Sequence, residues 1–451
     1  MKIKKAVVKN FRMLKDLEVD FQKGLSLIVG KNNSGKTSFL IILERFLSDE
    51  HSKPSNFTFD DLNIDSQNKL VEMVVDQKKC LSSEEYQEIF LSLKIIMKYK
   101  PSDNIGNASK ILLDLDATNQ YLEIDFKHQL EYQKYRELFQ DFKKYNKNDD
   151  SGEKNEKENF YTFLRKYFKN YFSTKIFALE YGDEKNRKEI DNKIVRSIIS
   201  LQTISAKRDV KNEEGRGQSL SSLAEKYYDA TFSENTMLSS LQKGLKSADR
   251  ELDKVYKETF EPMIQDVKAM SYNSAETEIS VLSTLSEKNI LQENTTVKYK
   301  LENSYLPEDY NGVGYLNLIE MIFDIGIKLD KLAKKNDPGD EPTPINLLFI
   351  EEPEAHTHPQ MQYVFINNIK EILEKHCKLC ENLSLQTIIS THSSHIVSQC
   401  QFEDIRYFYC ESETSVKARN LNQLRMSMNY HDNKLQNVNS TKEEKNVIID
   451  F

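Results

Sequence analysis

Apolar and polar positions alternate from the first residues of the chain. "KAVVKNF" (Lys5–Phe11) and "DLEVDF" (Asp16–Phe21) each show a period of two and predict strands with one buried face. "LSLIVG" (Leu25–Gly30) is instead a continuous apolar run, the pattern of a strand buried on both faces. In "KNNSGKTSFLIILERFL" (Lys31–Leu47) the apolar spacing after Thr37 turns helical. Alternation returns in "EIFLSLKIIMKYK" (Glu88–Lys100) and "YLEIDF" (Tyr121–Phe126), which predicts an antiparallel patch. From His128 to about Lys175 the pattern is helical, broken by residues 146–159, a stretch without an apolar residue that predicts a mobile loop. "SIISLQTISA" (Ser197–Ala206) brings the chain back as a strand.

The clearest helical signal follows. Leu238, Leu241, Leu245, Ala248, Leu252 and Val255 recur at steps of three and four, and Phe260, Met263 and Val267 extend the stripe. Such a seam suits an antiparallel hairpin, a subunit contact or packing within its own domain. "TEISVLST" (Thr277–Thr284) and "TTVKYKL" (Thr295–Leu301) resume the strand pattern, and two further strand–helix units close the chain. The order strand, helix, insertions, strand, helix, strand is α/β with interrupted continuity, so motifs distant in sequence must meet at one sheet edge. The expected division is 1–127 for the first part of the core lobe and 128–196 for a helical insertion with its mobile loop at 146–159. A return strand occupies 197–214 and a helical, dimerising insertion 215–270. The second part of the lobe spans 271–410, and 411–451 is a tail.

Composition narrows the classes. Hydrophobic residues make up 38% and charged residues 30% of 451, so a sizeable core lies under a very polar surface. A net charge of −8 argues against a chain-wide field that attracts nucleic acid or acidic membranes. Five cysteines do not make a disulfide framework, and the one CxxC, Cys377 and Cys380, lacks a second pair. No stretch nears the roughly 18 apolar residues of a spanning helix. A soluble, cytoplasmic protein with no membrane partner is expected.

Two stretches carry the chemistry. "GKNNSGKT" (Gly30–Thr37) satisfies G-x-x-x-x-G-K-[ST] between a predicted buried strand and a predicted helix. Backbone N–H groups of Gly30, Lys31, Asn32, Asn33, Ser34, Gly35, Lys36, Thr37 and Ser38 are placed to cradle phosphates, with the helix N-terminus behind them. Lys36 can neutralise the outer phosphates and the Thr37 hydroxyl can ligate Mg²⁺, so ATP and Mg²⁺ are the expected cofactors. "LLFIEEPEAHTHP" (Leu347–Pro359) then supplies an apolar strand ending in two acids. Glu351 is expected in the Mg²⁺ shell and Glu352 as the general base on water. His356 and His358 form an HxH without further ligands, a weak zinc signal. "IISTHSSHIV" (Ile388–Val397) ends a third buried strand at His392, placed to hydrogen-bond a γ-phosphate. His395 is the lesser candidate, and a Q-loop glutamine is not assigned.

These three motifs together resemble the ATP-binding-cassette-type ATPases of the RecF, SMC and OLD (overcoming lysogenization defect) group. "EEPEAHTHP" is most similar to the OLD family, which includes the ATPase parts of Gabija-type and retron-associated anti-phage nucleases. "VKNFRML", with Phe11 and Arg12, is also typical of the group. The resemblance covers roughly residues 1–60 and 300–410. It implies an ATPase head with a mixed sheet, an added antiparallel β patch and helical insertions. It also implies a signature that contacts ATP of the opposite protomer, and Asn311, Gly312, Val313 and Gly314 fit its place, although they depart from the Ser-Gly-Gly-Gln type. OLD nucleases continue into a Toprim domain, whose metal-binding acids are not found after His392. An effector in cis beyond Phe451 or in a partner chain is therefore expected.

The resulting expectation is an ATP hydrolase of an OLD-like defence system. ATP would hold heads together as a homodimer or higher oligomer, and hydrolysis would gate a DNA nuclease, with DNA or another nucleic acid as a further partner. The rivals are a RecF/SMC-like repair or chromosome-maintenance ATPase and a nucleotide-locked scaffold that sequesters an effector.

Overall fold

The structure, a computed structural model, describes residues 1–48, 57–77, 79–101, 103, 106–113, 119–147, 156–206, 244–255, 258, 298–301, 304–307, 313–334, 341–355, 357–379 and 383–422. The chain divides into two compact units, Met1–Lys207 with Glu341–Phe451, and Arg208–Asp340.

Two six-stranded sheets build the first unit. With strands numbered in chain order, the first sheet holds β1 (Lys2–Phe11), β2 (Leu14–Asp20), β4 (Ile89–Lys98), β5 (Tyr121–Leu130), β6 (Phe172–Glu180) and β7 (Asp183–Glu189). It is antiparallel throughout, in the order β2-β1-β4-β5-β6-β7. The second sheet holds β3 (Leu25–Val29), β8 (Ile199–Ile204), β11 (Ile345–Glu351), β12 (Leu385–Thr391), β13 (Ile405–Ser412) and β14 (Ser415–Asn420), in the order β14-β13-β3-β12-β11-β8. All its pairings are parallel except the β13–β14 hairpin. Every residue of β3 and β11 is buried, the polar Ser26, Asn346 and Glu351 among them, as strands covered on both faces require.

Helix α1 (Lys36–Leu47) lies between the sheets and ties them into one core. Its Phe39 stacks on Phe21 beside the first sheet and meets Phe408 of β13 edge-on. About two turns further along, Phe46 packs on Phe126 of β5. A charged staple backs this arrangement. The Asp61 carboxylate accepts from Arg12, Arg45, the Thr58 hydroxyl and the Thr58 amide, so the end of β1 is fastened to α1. Burial alone would raise the Asp61 pKa, but the Arg45 and Thr58 hydrogen bonds and the two guanidinium charges hold it below its ordinary value. Across the molecule, the buried Arg406 guanidinium donates to the Asp20 carbonyl and carboxylate, which pins β13 to the exit of β2.

The layout differs from the expected one in four places. The insertion at 128–196 is helical only in part: α2 (Ile64–Val71) comes earlier in the chain, β5 runs on to Leu130, α3 (Tyr132–Lys147) and α4 (Glu156–Tyr167) follow it, and β6 and β7 come next. Of the loop expected at 146–159, Asn146 and Lys147 belong to α3 and Glu156–Asn159 to α4; residues 148–155 lie outside the described residues. Within 197–214 the strand is β8, which comes after the short α5 (Asn192–Arg196), and residues 207–214 lie outside the described residues. The second lobe segment does not begin at 271, since 271–340 falls in the other unit. Nor is 411 the start of a tail, because β13 and β14 carry the sheet to Asn420.

In the second unit the described residues form a helical stretch at 244–255, the hairpin β9 (Lys298–Leu301) and β10 (Ser304–Pro307), and α6 (Val313–Leu332). Helix α6 buries Leu318, Met321, Ile325, Leu329 and Leu332 as one stripe at steps of three and four. Of the expected Leu238–Val267 seam, Leu245 and Leu252 are half-buried while Ala248 and Val255 are exposed. Leu238, Leu241, Phe260, Met263 and Val267 lie outside the described residues. No helix among the described residues is long and apolar enough to cross a membrane.

Candidate functional site

The site is assembled where β3, β11 and β12 end side by side, the carboxyl edge of the parallel sheet. From β3 the chain turns through Gly30–Gly35 into α1. Two glycines make that turn possible. A Cβ on Gly30 would lie 2.4 Å from Ser34 Oγ and 2.7 Å from the Phe408 carbonyl oxygen. Gly35 sits at φ +85°, and a Cβ there would meet Leu14 Cδ2 at 2.8 Å. Gly35 is also the N-cap of α1, so no side chain caps the helix and no acid occupies its first turn. The first N–H groups of α1 are thus left for an acceptor from outside.

Three further features fit a polyanion such as a nucleotide triphosphate. Lys36 is buried, and its Nζ donates to the carbonyls of Gly30 (2.8 Å) and Lys31 (3.0 Å), folded back over the loop. Burial lowers its pKa, against the opposing charges of Glu352, Glu354 and Glu351. Ser34 Oγ is buried without a hydrogen-bond partner. A pocket of about 340 Å³ opens beside the loop, with Gly30, Lys31, His392 and Tyr407 in its wall.

On the neighbouring strand, Glu351 closes β11. Its Oε1 accepts from the Thr37 hydroxyl at 2.6 Å and its Oε2 from the Ala206 amide at 3.4 Å. One residue on, Glu352 takes φ +39° while its amide donates to the Ser390 carbonyl at 2.9 Å. A left-handed backbone at a residue with a Cβ is strained, and here it turns the chain out of the sheet immediately after the first acid. Successive glutamates therefore leave the strand in different ways: Glu351 is buried against α1, and Glu352 is partly open to solvent.

His392 follows β12 with its side chain 44% exposed, and its Nδ1 lies 3.4 Å from Glu352 Oε1 and 3.2 Å from Glu354 Oε1. Lys36, Thr37, Glu351, Glu352 and His392, expected together, are together. His395 is elsewhere engaged, with its Nδ1 3.3 Å from the Tyr363 hydroxyl. Val313 and Gly314 open α6 in the other unit, and Asn311 and Gly312 lie outside the described residues, as does His356. Among the described residues no group of three His, Cys, Asp or Glu side chains is set to hold a metal by itself. Thr37 and Glu351 can hold one only with further ligands, which the oxygens of a bound phosphate would supply.

The motif reading left out a buried network behind His392. Glu354 Oε1 accepts from the Thr391 hydroxyl (2.6 Å) and the His392 amide (2.7 Å). Thr391 Oγ1 in turn accepts from the Ser393 amide, and the Ser393 hydroxyl donates to Gln362 of α7 (Pro359–Leu379) at 2.5 Å. Ser393 also caps α8 (Ser394–Val397) by accepting from the His395 amide. The only sequence signal for this network was the third acid of the "EEPE" run.

The AAA ATPase domain family matches residues 1–397. The chain belongs to that family. It is an ATPase. Among curated relatives of this AAA ATPase, the endonuclease GajA of Bacillus cereus (strain HuB5-5) is 28% identical over 388 residues, which cover 84% of this chain and 53% of GajA. The chain thus spans about half the length of that relative. Among solved structures, an SMC head bound to the C-winged helix domain of ScpA aligns with 94% of this chain and all of its own, at 11% identity and a TM-score of 0.42. The SMC head domain from Thermotoga maritima aligns with 93% of this chain and 99% of its own, at 9% identity and a TM-score of 0.37.

Proposed function

We propose that this ATPase is the nucleotide-driven head of an OLD-like anti-phage defence system, in which ATP closes two or more heads together and hydrolysis gates a DNA nuclease. The observation that carries the hydrolytic part is the 2.6 Å bond between Thr37 Oγ1 and Glu351 Oε1, with Glu352 turned out beside it. That bond joins the phosphate loop to the acid-ended strand at the spot where a metal shell would need both. The relation to GajA supports the defence setting, and a nuclease as the gated partner is drawn from that protein's description as an endonuclease.

On this proposal the loop amides from Gly30 to Ser38 and the Lys36 ammonium bind the phosphates. Thr37 and Glu351 would hold Mg²⁺, which when bound supplies charge neutralisation at the phosphate oxygens. Glu352 accepts the proton of the attacking water, and His392 donates a hydrogen bond towards the γ-phosphate. Asn311, Gly312, Val313 and Gly314, the last two opening α6, would reach the nucleotide of a second protomer through backbone N–H groups, which makes the assembly a homodimer or a larger oligomer. The setting is cytoplasmic.

The two acids separate in one experiment. Glu352→Gln keeps shape and hydrogen bonding but cannot take a proton, so turnover should fall by about 10²–10⁴ with Mg·ATP affinity retained. Glu351→Gln should weaken Mg²⁺-dependent binding as well as turnover. The check is ATP affinity with and without Mg²⁺ alongside phosphate release. Reversed behaviour would exchange the two roles. Loss of neither activity in either variant, on a protein with negligible turnover, would replace hydrolysis by a nucleotide-locked scaffold.

A further inference from the structure

Glu354 is buried to 6% exposure at the foot of the site, yet the general base, the metal acid and the phosphate-facing histidine are all assigned without it. One of its oxygens is crowded. Oε1 accepts from the Thr391 hydroxyl at 2.6 Å and the His392 amide at 2.7 Å, and it lies 3.2 Å from His392 Nδ1. The other oxygen, Oε2, is buried with no hydrogen-bond partner. A carboxylate desolvated and half-satisfied in this way costs stability, so its place is not explained by holding the fold together. What it does hold is the orientation of one side chain. The amide bond fixes the His392 backbone where β12 ends, and the Nδ1 contact fixes the ring about its own bond.

We infer that Glu354 is a positioning residue for His392: it accepts from Nδ1–H on the protein side and turns Nε2 outward, so that the ring, carrying a proton on each nitrogen between a carboxylate and a phosphate, donates from Nε2. Glu352 Oε1, at 3.4 Å from the same Nδ1, is the alternative partner of that nitrogen. Without Glu354 the imidazole would turn to the base and tie up the carboxylate that must take the proton from water. Glu354 therefore serves two groups, since it orients one and leaves the other free. Histidines that must present one nitrogen are commonly set by a carboxylate on the other. The Thr391–Ser393–Gln362 chain behind Glu354 gives this arrangement a rigid backing in α7 and α8.

The inference rests on the hydrolytic reading of the site, so its test has one arm that needs turnover and one that does not. Steady-state ATP hydrolysis is compared for wild type, Glu354→Ala, Glu354→Gln, His392→Ala and the Glu354→Ala/His392→Ala pair. Glu354→Gln keeps volume and still accepts from Thr391 and the His392 amide, which covers the case in which Glu354→Ala fails to fold. The expected result is a kcat lowered at least tenfold in Glu354→Ala, and less in Glu354→Gln, with KM within threefold. The double variant should lose no more than His392→Ala alone. Losses that multiply in the double variant, or a wild-type kcat in both Glu354 variants, would overturn the inference. The second arm reads the His392 imidazole nitrogens by NMR on histidine-labelled protein. A proton held on Nδ1 in wild type and redistributed in Glu354→Gln supports positioning, and an unchanged ring in both Glu354 variants refutes it. If wild type turns over no ATP, the hydrolytic reading fails by itself and the ring signals still decide the role of Glu354.

Discussion

In the mostly parallel sheet, β3 and β11 bury every residue, and the polar chemistry is confined to the places where strands stop. In the antiparallel sheet, β4 and β5 bury largely alternate residues, and polar groups lie along the strands. One face of the second arrangement packs on α1 through Phe126, and the other carries Lys5, Lys9, Glu18, Lys94, Glu123, Asp125 and Lys127 around an open groove of about 470 Å³. The same number of strands thus gives two different uses of charge. At the parallel edge, Glu351, Glu352 and Glu354 converge on one lysine and one histidine. On the antiparallel face, acids and bases alternate and neutralise each other, as Lys94 does with Glu123 and Glu184. Convergent charge of one sign suits a site that awaits a ligand; interleaved charge suits a solvated or partner-facing surface.

The largest effect that would sharpen this contrast comes from the antiparallel core. Phe126 is fully buried against Phe46 of α1, 5.2 Å between ring centroids. Phe126→Ala should cost about 3–5 kcal/mol in chemical denaturation. ATP affinity, measured below the melting temperature, should stay within a few-fold of wild type. A large loss of affinity in protein shown to be folded would make the antiparallel sheet part of the site and break the comparison.

Next in size is an acid sensitivity located in the same core. His128 of β5 is buried among Phe57, Phe168 and Phe172, with Nδ1 2.8 Å from the Thr174 hydroxyl and Nε2 unpartnered. Burial lowers its pKa from 6.5 to about 4. Below pH 6.5 the unfolded chain takes up a proton that the folded chain refuses until about pH 4. Stability present above 6.5 is therefore lost as the pH falls through that window, by at most about 3 kcal/mol. Denaturation of wild type and His128→Phe at pH 7, 5.5 and 4.5 checks this, and the gap between them should narrow or reverse towards acid. Asp61, also depressed, loses its contribution only below its ordinary 3.8, outside that window. A parallel pH dependence in the two proteins would locate the acid sensitivity elsewhere.

Legibility followed the same divide. Mostly apolar runs ending in chemistry, "LSLIVG" and "LLFIEE", are read correctly because a strand buried on both faces favours that composition. β7, "DEKNRKE", is exposed at every residue and has no apolar position, so nothing in its pattern distinguishes it from a loop. It is an edge strand, where charge protects against unwanted pairing. The first strand of the same missed hairpin, β6, sits directly after a helical stretch whose period masks its own. Glu352 and Glu354 show the limit within the site. Their presence was visible in "EEPE", but the positive φ of one and the Thr391 and His392 partners of the other, 37 and 38 residues away, arise only when β11 and β12 pair. Spacing locates such acids without dividing the work among them.

The smallest effect belongs to the open face. Lys5 Nζ lies 2.7 Å from Glu18 Oε2, a contact between the antiparallel neighbours β1 and β2, with side chains 38% and 58% exposed. Both ends keep much of their hydration, and holding two long side chains in one geometry costs entropy, so the attraction is nearly offset. A double-mutant cycle with Lys5→Met and Glu18→Gln should give a coupling of about 0.5 kcal/mol or less, declining further in about 1 M salt as screening shortens to a few ångströms. ATP turnover should be unchanged in all three variants, because neither side chain reaches the carboxyl edge of the parallel sheet. A coupling well above about 1 kcal/mol that persists in salt would mean the pair is held by something more than its own charges. Altered turnover would be the sharper failure, since it would tie the interleaved face to the convergent one and remove the distinction between a surface that neutralises itself and an edge that waits for phosphate.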